Sequence, residues 1–424
     1  MARYDRIARL APPEREDAFT GWLALRDLDG REREPELGRR ARLRYLALRP
    51  VKRLLRLGLE GLDDGSFQRQ LDAVREELGQ LPIRDPERQQ LSDYLRQVGG
   101  RTPEGVARAT LEVGGSAEAA GHTDAAEEFY RTGLELAEHH DLPRLAAHAL
   151  RSVGRLYRRR GDREKAVELL RRAADLADRE DDVVEWARAM DGIAAVHLQA
   201  GNRDAARDTL AEVGRRGEKT KDRRVAAIGA AGRCALELAA GDPEAALTAG
   251  WTAVQLLAPS AEIRNAVLLN MGAAFRRLGL GEAAASCYHI VEQWAAWPEH
   301  RVEAHVESAV VAAEAGDAET FTARRDELMA TLDRADRPLR ALAELGLGRG
   351  SLLVDRVEDA REHLRSAIAA ARDSDSADVL ARAEELLTAL EARAAVELDT
   401  AGSPTEASRR IAERVTGLEL TPAP

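Results

Sequence analysis

The chain has 424 residues, with 63 Lys and Arg against 74 Asp and Glu and a formal charge of −11, which argues against a general polyanion binder. Hydrophobic residues make up 44% and aromatic residues only 4%, an Ala-, Leu- and Val-rich mixture with 15 prolines that favours helices over strands. Two cysteines, Cys234 and Cys287, give neither a disulfide framework nor a C-x-x-C zinc spacing, and the length allows roughly two or three domains.

The opening residues Met1 to Arg6 lack the apolar core of a signal peptide, and no stretch reaches the ~18 uncharged apolar residues of a membrane span. A soluble, cytoplasmic, helical protein is the expectation. Arginine outnumbers lysine 59 to 4, which most simply reflects a GC-rich coding bias. Residues 1–100 read as an N-terminal helical domain or cap. Pro12, Pro13 and the stretch Asp85–Glu87 offer helix starts, and Gly30, Gly65, Gly99 and Gly100 offer breaks. Pro50 should kink or end a helix before it. Between Arg39 and Leu59 stand Arg39, Arg40, Arg42, Arg44, Arg49, Lys52, Arg53 and Arg56 with no acidic residue, interleaved with leucines. This pattern is either an amphipathic surface for phosphate, anionic lipid or an acidic protein, or an ordinary core-facing helix pair with an arginine-rich solvent face.

From residue 101 a single pattern takes over. A turn glycine followed by a small-residue helix recurs at Gly121, Gly161, Gly201 and Gly241, each step being 40 residues. The register continues at Gly279, Gly316 and Asp355, with steps of 38, 37 and 39. Glycine just past a helix end accepts the left-handed backbone that terminates it, and the Asp, Asn or Pro that often follows suits the start of the next helix. Five residues beyond the turn stand Ala126, Ala166, Ala206, Ala246, Ala284 and Ala360, small enough for two helices to approach closely. Phe321 takes that place in the sixth unit, so packing must change there. Around Gly161 the first helix carries Leu150, Val153, Gly154 and Tyr157, and the second Ala166, Leu169, Leu170, Ala173 and Ala174. Such spacing gives each helix one buried stripe. The unit around Gly279 repeats it with Asn270, Met271, Gly272 and Phe275, then Ala284, Cys287 and Tyr288.

These residues resemble the tetratricopeptide repeat family over roughly residues 101–395, with a step nearer 40 than the usual 34 residues and without the small–aromatic pair of the first helix in the first and last units, where Ala117 and Ser351 stand. The resemblance implies an all-α fold, a right-handed solenoid of seven helical hairpins whose first helices line a concave groove. On that alignment His148, Arg151, Arg155, Arg158 and Arg159 face the groove, and Arg188, Arg276 and Arg277 extend the patch. Guanidinium groups so placed suit carboxylates through bidentate hydrogen bonds; the alternative is a solvated helix face.

Catalytic chemistry finds little footing. The adjacent His139 and His140 would diverge on a helix, no nucleotide-binding, zinc-protease or nucleophile-elbow motif appears in a strand-to-helix setting, and Cys287 falls on a buried stripe. Glu180, Asp181 and Asp182 read as loop charges rather than metal ligands. No cofactor, no metal and no enzyme activity are expected. After Ala395 the chain turns loop-like. Ser403, Pro404 and Glu406 then offer a capped start to a short helix bearing Ala407, Ile411, Ala412 and Val415 on one face, read as a cap on the last repeat or else a detachable peptide that docks elsewhere. The functional expectation is an interaction scaffold or adaptor that holds a partner's peptide or helix, probing toward acidic segments. The alternatives are a sensor for a small peptide or metabolite, and an adaptor recruited to nucleic acid or membrane through the basic N-terminal segment.

Overall fold

The computed structural model describes residues 43–44, 46–48, 50–52, 55, 64–119, 122–258, 261–295, 298–332, 337–373, 377–392 and 403–420. Among these residues every regular element is a helix. In chain order they are α1 (Asp64–Leu78), α2 (Pro86–Gly100), α3 (Pro103–Ala119), α4 (Thr123–His139), α5 (Pro143–Arg159), α6 (Arg163–Arg179), α7 (Val183–Gln199), α8 (Arg203–Thr220) and α9 (Arg223–Ala240). They continue with α10 (Pro243–Leu256), α11 (Glu262–Arg277), α12 (Gly281–Trp294), α13 (Pro298–Glu314), α14 (Ala318–Leu332), α15 (Arg337–Leu353), α16 (Val357–Asp373), α17 (Ala377–Glu391) and α18 (Glu406–Thr416). The chain forms two compact units, Met1–Val153 and Gly154–Pro424.

In the first unit, α1 packs on α2, α2 on α3 and α3 on α4. Phe67, Leu71, Leu91, Tyr94, Val106 and Phe129 share one core, so the first hundred residues do not stand as a separate body from the first hairpin. Asp85 caps α2 by accepting from the Glu87 and Arg88 amides at 3.0 and 3.2 Å. Gly65 lies in the first turn of α1 and is no break, and helical residues stand on both sides of Pro50. Of the basic segment, Arg44 and Lys52 are described, and neither reaches for an external anion. Arg44 pairs with Glu87 at 2.5 Å and Lys52 with Glu128 at 2.9 Å. Arg39, Arg40, Arg42, Arg53 and Arg56 lie outside the described residues. His139 and His140 do not diverge: α4 ends at His139, and the two rings meet edge-on with centroids 4.8 Å apart.

The second unit stacks hairpins. Consecutive helices from α6 to α17 pack on one another, and the first helices α7, α9, α11, α13, α15 and α17 also touch in turn, forming one continuous wall. The turns lie where the periodicity puts them. Gly161, Gly201, Gly241, Gly279 and Gly316 have φ between 70° and 85°, and Asp355 has φ 59°. Gly121 lies outside the described residues. Each turn hands over to a capped helix, with Asp162, Asn202, Asp242 and Asp317 accepting from backbone amides three residues on at 2.9–3.2 Å. A second forty-residue array, not foreseen, closes the preceding helices through non-glycine residues in the left-handed region: Arg101, Asp141, Asp181 and Lys221, with φ 51–54°.

Within a hairpin the helices approach closely because one of them lacks a side chain. A Cβ on Gly154 would lie 2.9 Å from Leu170 Cγ, and one on Gly272 would lie 2.5 Å from the Tyr288 ring. The alanines after the turns are fully buried. Phe321, in place of the sixth alanine, is also fully buried, and its ring occupies the space where a Cβ on Gly350 would stand, 2.4 Å away. The bulk gained at one position is therefore lost at another.

The terminal helix departs from expectation. α18 packs on α10 and α12, not on the last hairpin. Its N-cap is Thr405 rather than Ser403, because the Thr405 amide and hydroxyl both donate to Glu244 at the start of α10.

Two stability measurements check this account. Gly272→Leu should overpack the Tyr288 contact and cost ~1–3 kcal/mol in denaturant unfolding. Lys221→Gly should instead stabilise by ~1 kcal/mol, by relieving a left-handed residue that carries a Cβ; an unchanged or lower midpoint would contradict the backbone reading.

Candidate functional site

The wall of first helices in the second unit collects ionisable side chains. Arg159, at the end of α5, pairs with Glu299 at the start of α13, with α7, α9 and α11 lying between them in the stack. The wall thus bends round, and the side chains between face a concavity. Beside this pair sits His300, whose imidazole is lowered to about 4 by burial and by Arg159; its Nδ1 is buried and has no hydrogen-bond partner.

Two carboxyls on the same wall stand without hydrogen bonds from any described residue. Asp191 on α7 is pushed up to about 6 by burial, with Arg158 partly opposing. Its Oδ1 lies 2.7 Å from where a Cβ on Gly232 of α9 would be, so the absent side chain gives the carboxyl its room. Glu303 on α13 is pushed up to about 7 by burial and then by Glu307. Glu307, one turn further, is a contrasting case. Burial would raise it, but Arg349 and Arg276 hold it below the ordinary range. Arg349 grips it with both oxygens at 2.8 Å, and Arg276 approaches to 3.5 Å.

Of the residues singled out from sequence, Arg158 and Arg159 come together with Asp191, Glu299 and His300. Arg155 lies on the same helix, α5. Arg276 and Arg277 do not extend a basic patch. Arg276 is drawn into pairs with Glu307 and Glu314, and Arg277 donates to the Leu238 carbonyl at 2.6 Å. Arg188 is half-exposed and lies 3.7 Å from Glu185 on its own helix. His148 and Arg151 belong to the first unit, where Arg151 meets His148 Nδ1 at 3.0 Å. Sequence reasoning missed the acidic partners, although the register held them. Glu303 stands 13 residues before its turn glycine, as His148 does, and Asp191 stands 10 before, as Arg151 does.

No group of three or more metal-ligating side chains occurs among the described residues. Both cysteines are buried, and burial pushes the Cys234 thiol up to about 12, so it carries no thiolate at neutral pH. Glu180, Asp181 and Asp182 form the loop into α7, where Asp182 caps the helix by accepting from the Glu185 amide at 3.0 Å. No helix among the described residues is long and apolar enough to cross a membrane.

The raised carboxyls have a consequence for stability. Glu303 keeps its proton to higher pH in the fold (about 7) than in the unfolded chain (ordinary value 4.5), so the unfolded chain ionises first and stability falls as pH rises between these values. Glu303→Gln should therefore be more stable than the native sequence at pH 8, by on the order of 1–3 kcal/mol, with the gap closing toward pH 4. Calorimetry across that range checks it; a gap independent of pH would contradict the burial of this carboxyl.

No curated protein sequence matches this chain significantly. Among solved structures, a signal-transduction ATPase with numerous domains from Pyrococcus horikoshii, bearing a tetratricopeptide repeat sensor, aligns at 16% identity over 97% of this chain and 67% of its own, with a TM-score of 0.45. A Rap protein complexed with competence and sporulation factor aligns at 12% identity over 82% of this chain and 98% of its own, with a TM-score of 0.37. The tetratricopeptide repeat family model matches residues 145–219, which span α5 to α8. The chain is built of tetratricopeptide-like repeats, with the family's sequence pattern carried at residues 145–219.

Proposed function

We propose that the first-helix wall of residues 154–424 is a recognition groove for a segment of a partner protein, and that the chain is a non-enzymatic, cytoplasmic interaction scaffold. The observation that carries this reading is the pair of unbonded carboxyls, Asp191 and Glu303, held where burial disfavours their charge. Stacking hairpins does not require them, and polar groups kept at such a cost are characteristic of binding sites. With Arg155 and Arg158 on α5 they suit a segment of mixed charge: a carboxylate meets the guanidinium groups, and a cationic group approaches Asp191 or Glu303. Stacked hairpins supply the extended surface such a segment needs.

The sensor reading draws support from the Arg276–Glu307–Arg349 ladder, which ties α11, α13 and α15 together. A ligand that displaced either arginine would change how three first helices stack. Compaction of the chain on ligand binding, seen by small-angle scattering, would favour this second reading.

Selection from a random peptide library against the full chain should enrich sequences that carry both charges. The double variant Arg155→Ser with Arg158→Ser should keep its melting temperature, since exposed substitutions usually change stability little. It should bind the selected peptides ~10-fold or more weakly, with a flatter salt dependence. Undiminished binding by that variant at low salt would remove the groove from consideration.

A further inference from the structure

α18 is held by residues far from it in sequence. The carboxylate of Glu244, at the first turn of α10, accepts three hydrogen bonds: from the Thr405 amide at 2.8 Å, the Thr405 hydroxyl at 2.7 Å and the Ser408 hydroxyl at 2.9 Å. A negative group at a helix N-terminus also meets the positive end of the helix dipole. Although burial opposes it, these bonds hold the Glu244 carboxyl below its ordinary range. Further along, Val415 is fully buried, and Ile411, Ala412 and Leu418 join the apolar cluster that contains Trp251, Leu280 and Ile290. The Arg414 guanidinium lies 5.8 Å from the centre of the Trp251 ring.

We propose that the outer groove between α10 and α12 is a helix-docking site whose occupant exchanges between copies, so that α18 of one chain seats on α10 and α12 of a second. An 11-residue helix is not stable by itself in water, so α18 is helical only while it is docked. Its docking rests on one carboxylate and a short apolar stripe, with Val415 as the single fully buried apolar side chain of the helix. That is a small surface, and release costs correspondingly little. The contacts named here are all made by residues 405–418 on residues 244–290, so a second copy offers the same groove unchanged. Exchange preserves each of these contacts and alters only the path of the tether. Residues 392–404 can span ~40 Å when extended, enough to serve a neighbouring molecule.

The test is complementation between two full-length variants. Val415→Asp disables the helix and leaves the groove intact. Glu244→Lys with Ile290→Glu disables the groove and leaves the helix intact. Each alone should be monomeric by light scattering coupled to size exclusion. Their equimolar mixture should give a species of twice the mass, and excess synthetic peptide of residues 403–420 should dissolve it. The Val415→Asp chain should also bind that peptide saturably, whereas the chain carrying both groove changes should not. If Val415→Asp lowers the overall helix content, Ile411→Asp replaces it as the helix-disabled partner. A mixture that stays monomeric, or a dimer that the peptide leaves intact, would overturn the proposal.

Discussion

In each hairpin, a large side chain on the second helix fills the gap left by a missing one on the first. Tyr130 lies against Gly114, Leu170 against Gly154 and Tyr288 against Gly272, and in every case the pair is separated by 16 residues. This contact fixes how close the two helices come and at what relative height, because a Cβ on the glycine would collide with the ring or branch opposite. Everything else follows from the constancy of that geometry. Hairpins of equal thickness stack, their first helices touch in sequence, and a wall forms whose polar positions recur in register. Phe321 and Gly350 show how strictly the volume is conserved: a phenylalanine enters where alanine was expected, and the neighbouring first helix gives up its side chain.

The wall carries two kinds of buried charge, and their difference separates architecture from recognition. Glu307 is gripped by Arg349 and approached by Arg276, so its negative charge is compensated within the fold. That ladder joins neighbouring first helices and explains why basic residues at the end of α11 are not available to a partner. Asp191 and Glu303 have no equivalent clamp, and their raised pKa values record a desolvation that nothing inside the chain repays. The same helix face thus uses some charges to hold its own stack and leaves others for a segment that comes from outside.

The turns could be read from sequence because they demand a backbone that glycine supplies most cheaply, and the caps because Asp and Asn announce themselves next to those glycines. The matching left-handed positions at Asp141, Asp181 and Lys221 left no such mark, since a residue with a Cβ occupies each. For the groove, register identified the inward positions but not their pairing. Arg276 and Arg158 occupy the same place relative to their turns, yet Arg276 is consumed because Glu307 and Glu314 happen to stand on the next first helix. Reading only basic side chains also passed over Asp191 and Glu303, which sit at the same steps as Arg151 and His148. The amphipathic face of α18 was legible, whereas its destination depended on Glu244, some 160 residues away, and no local pattern encodes that distance.

The return of α18 to the middle of the stack changes how the second unit can fold. A pure stack of hairpins has only nearest-neighbour contacts, and it can grow from its first repeat as the chain leaves the ribosome. Here the outer face of α10 and α12 cannot be closed until Val415 has been synthesised, after five further helices have been made. Until then Trp251 and Ile290 lack their covering helix, and closing the loop adds the entropy cost of a long-range contact to an otherwise local fold. Translation order therefore makes the last helix the final cooperative step, and a ribosome stalled near the end of the message would hold a nearly complete stack with its central seam still open.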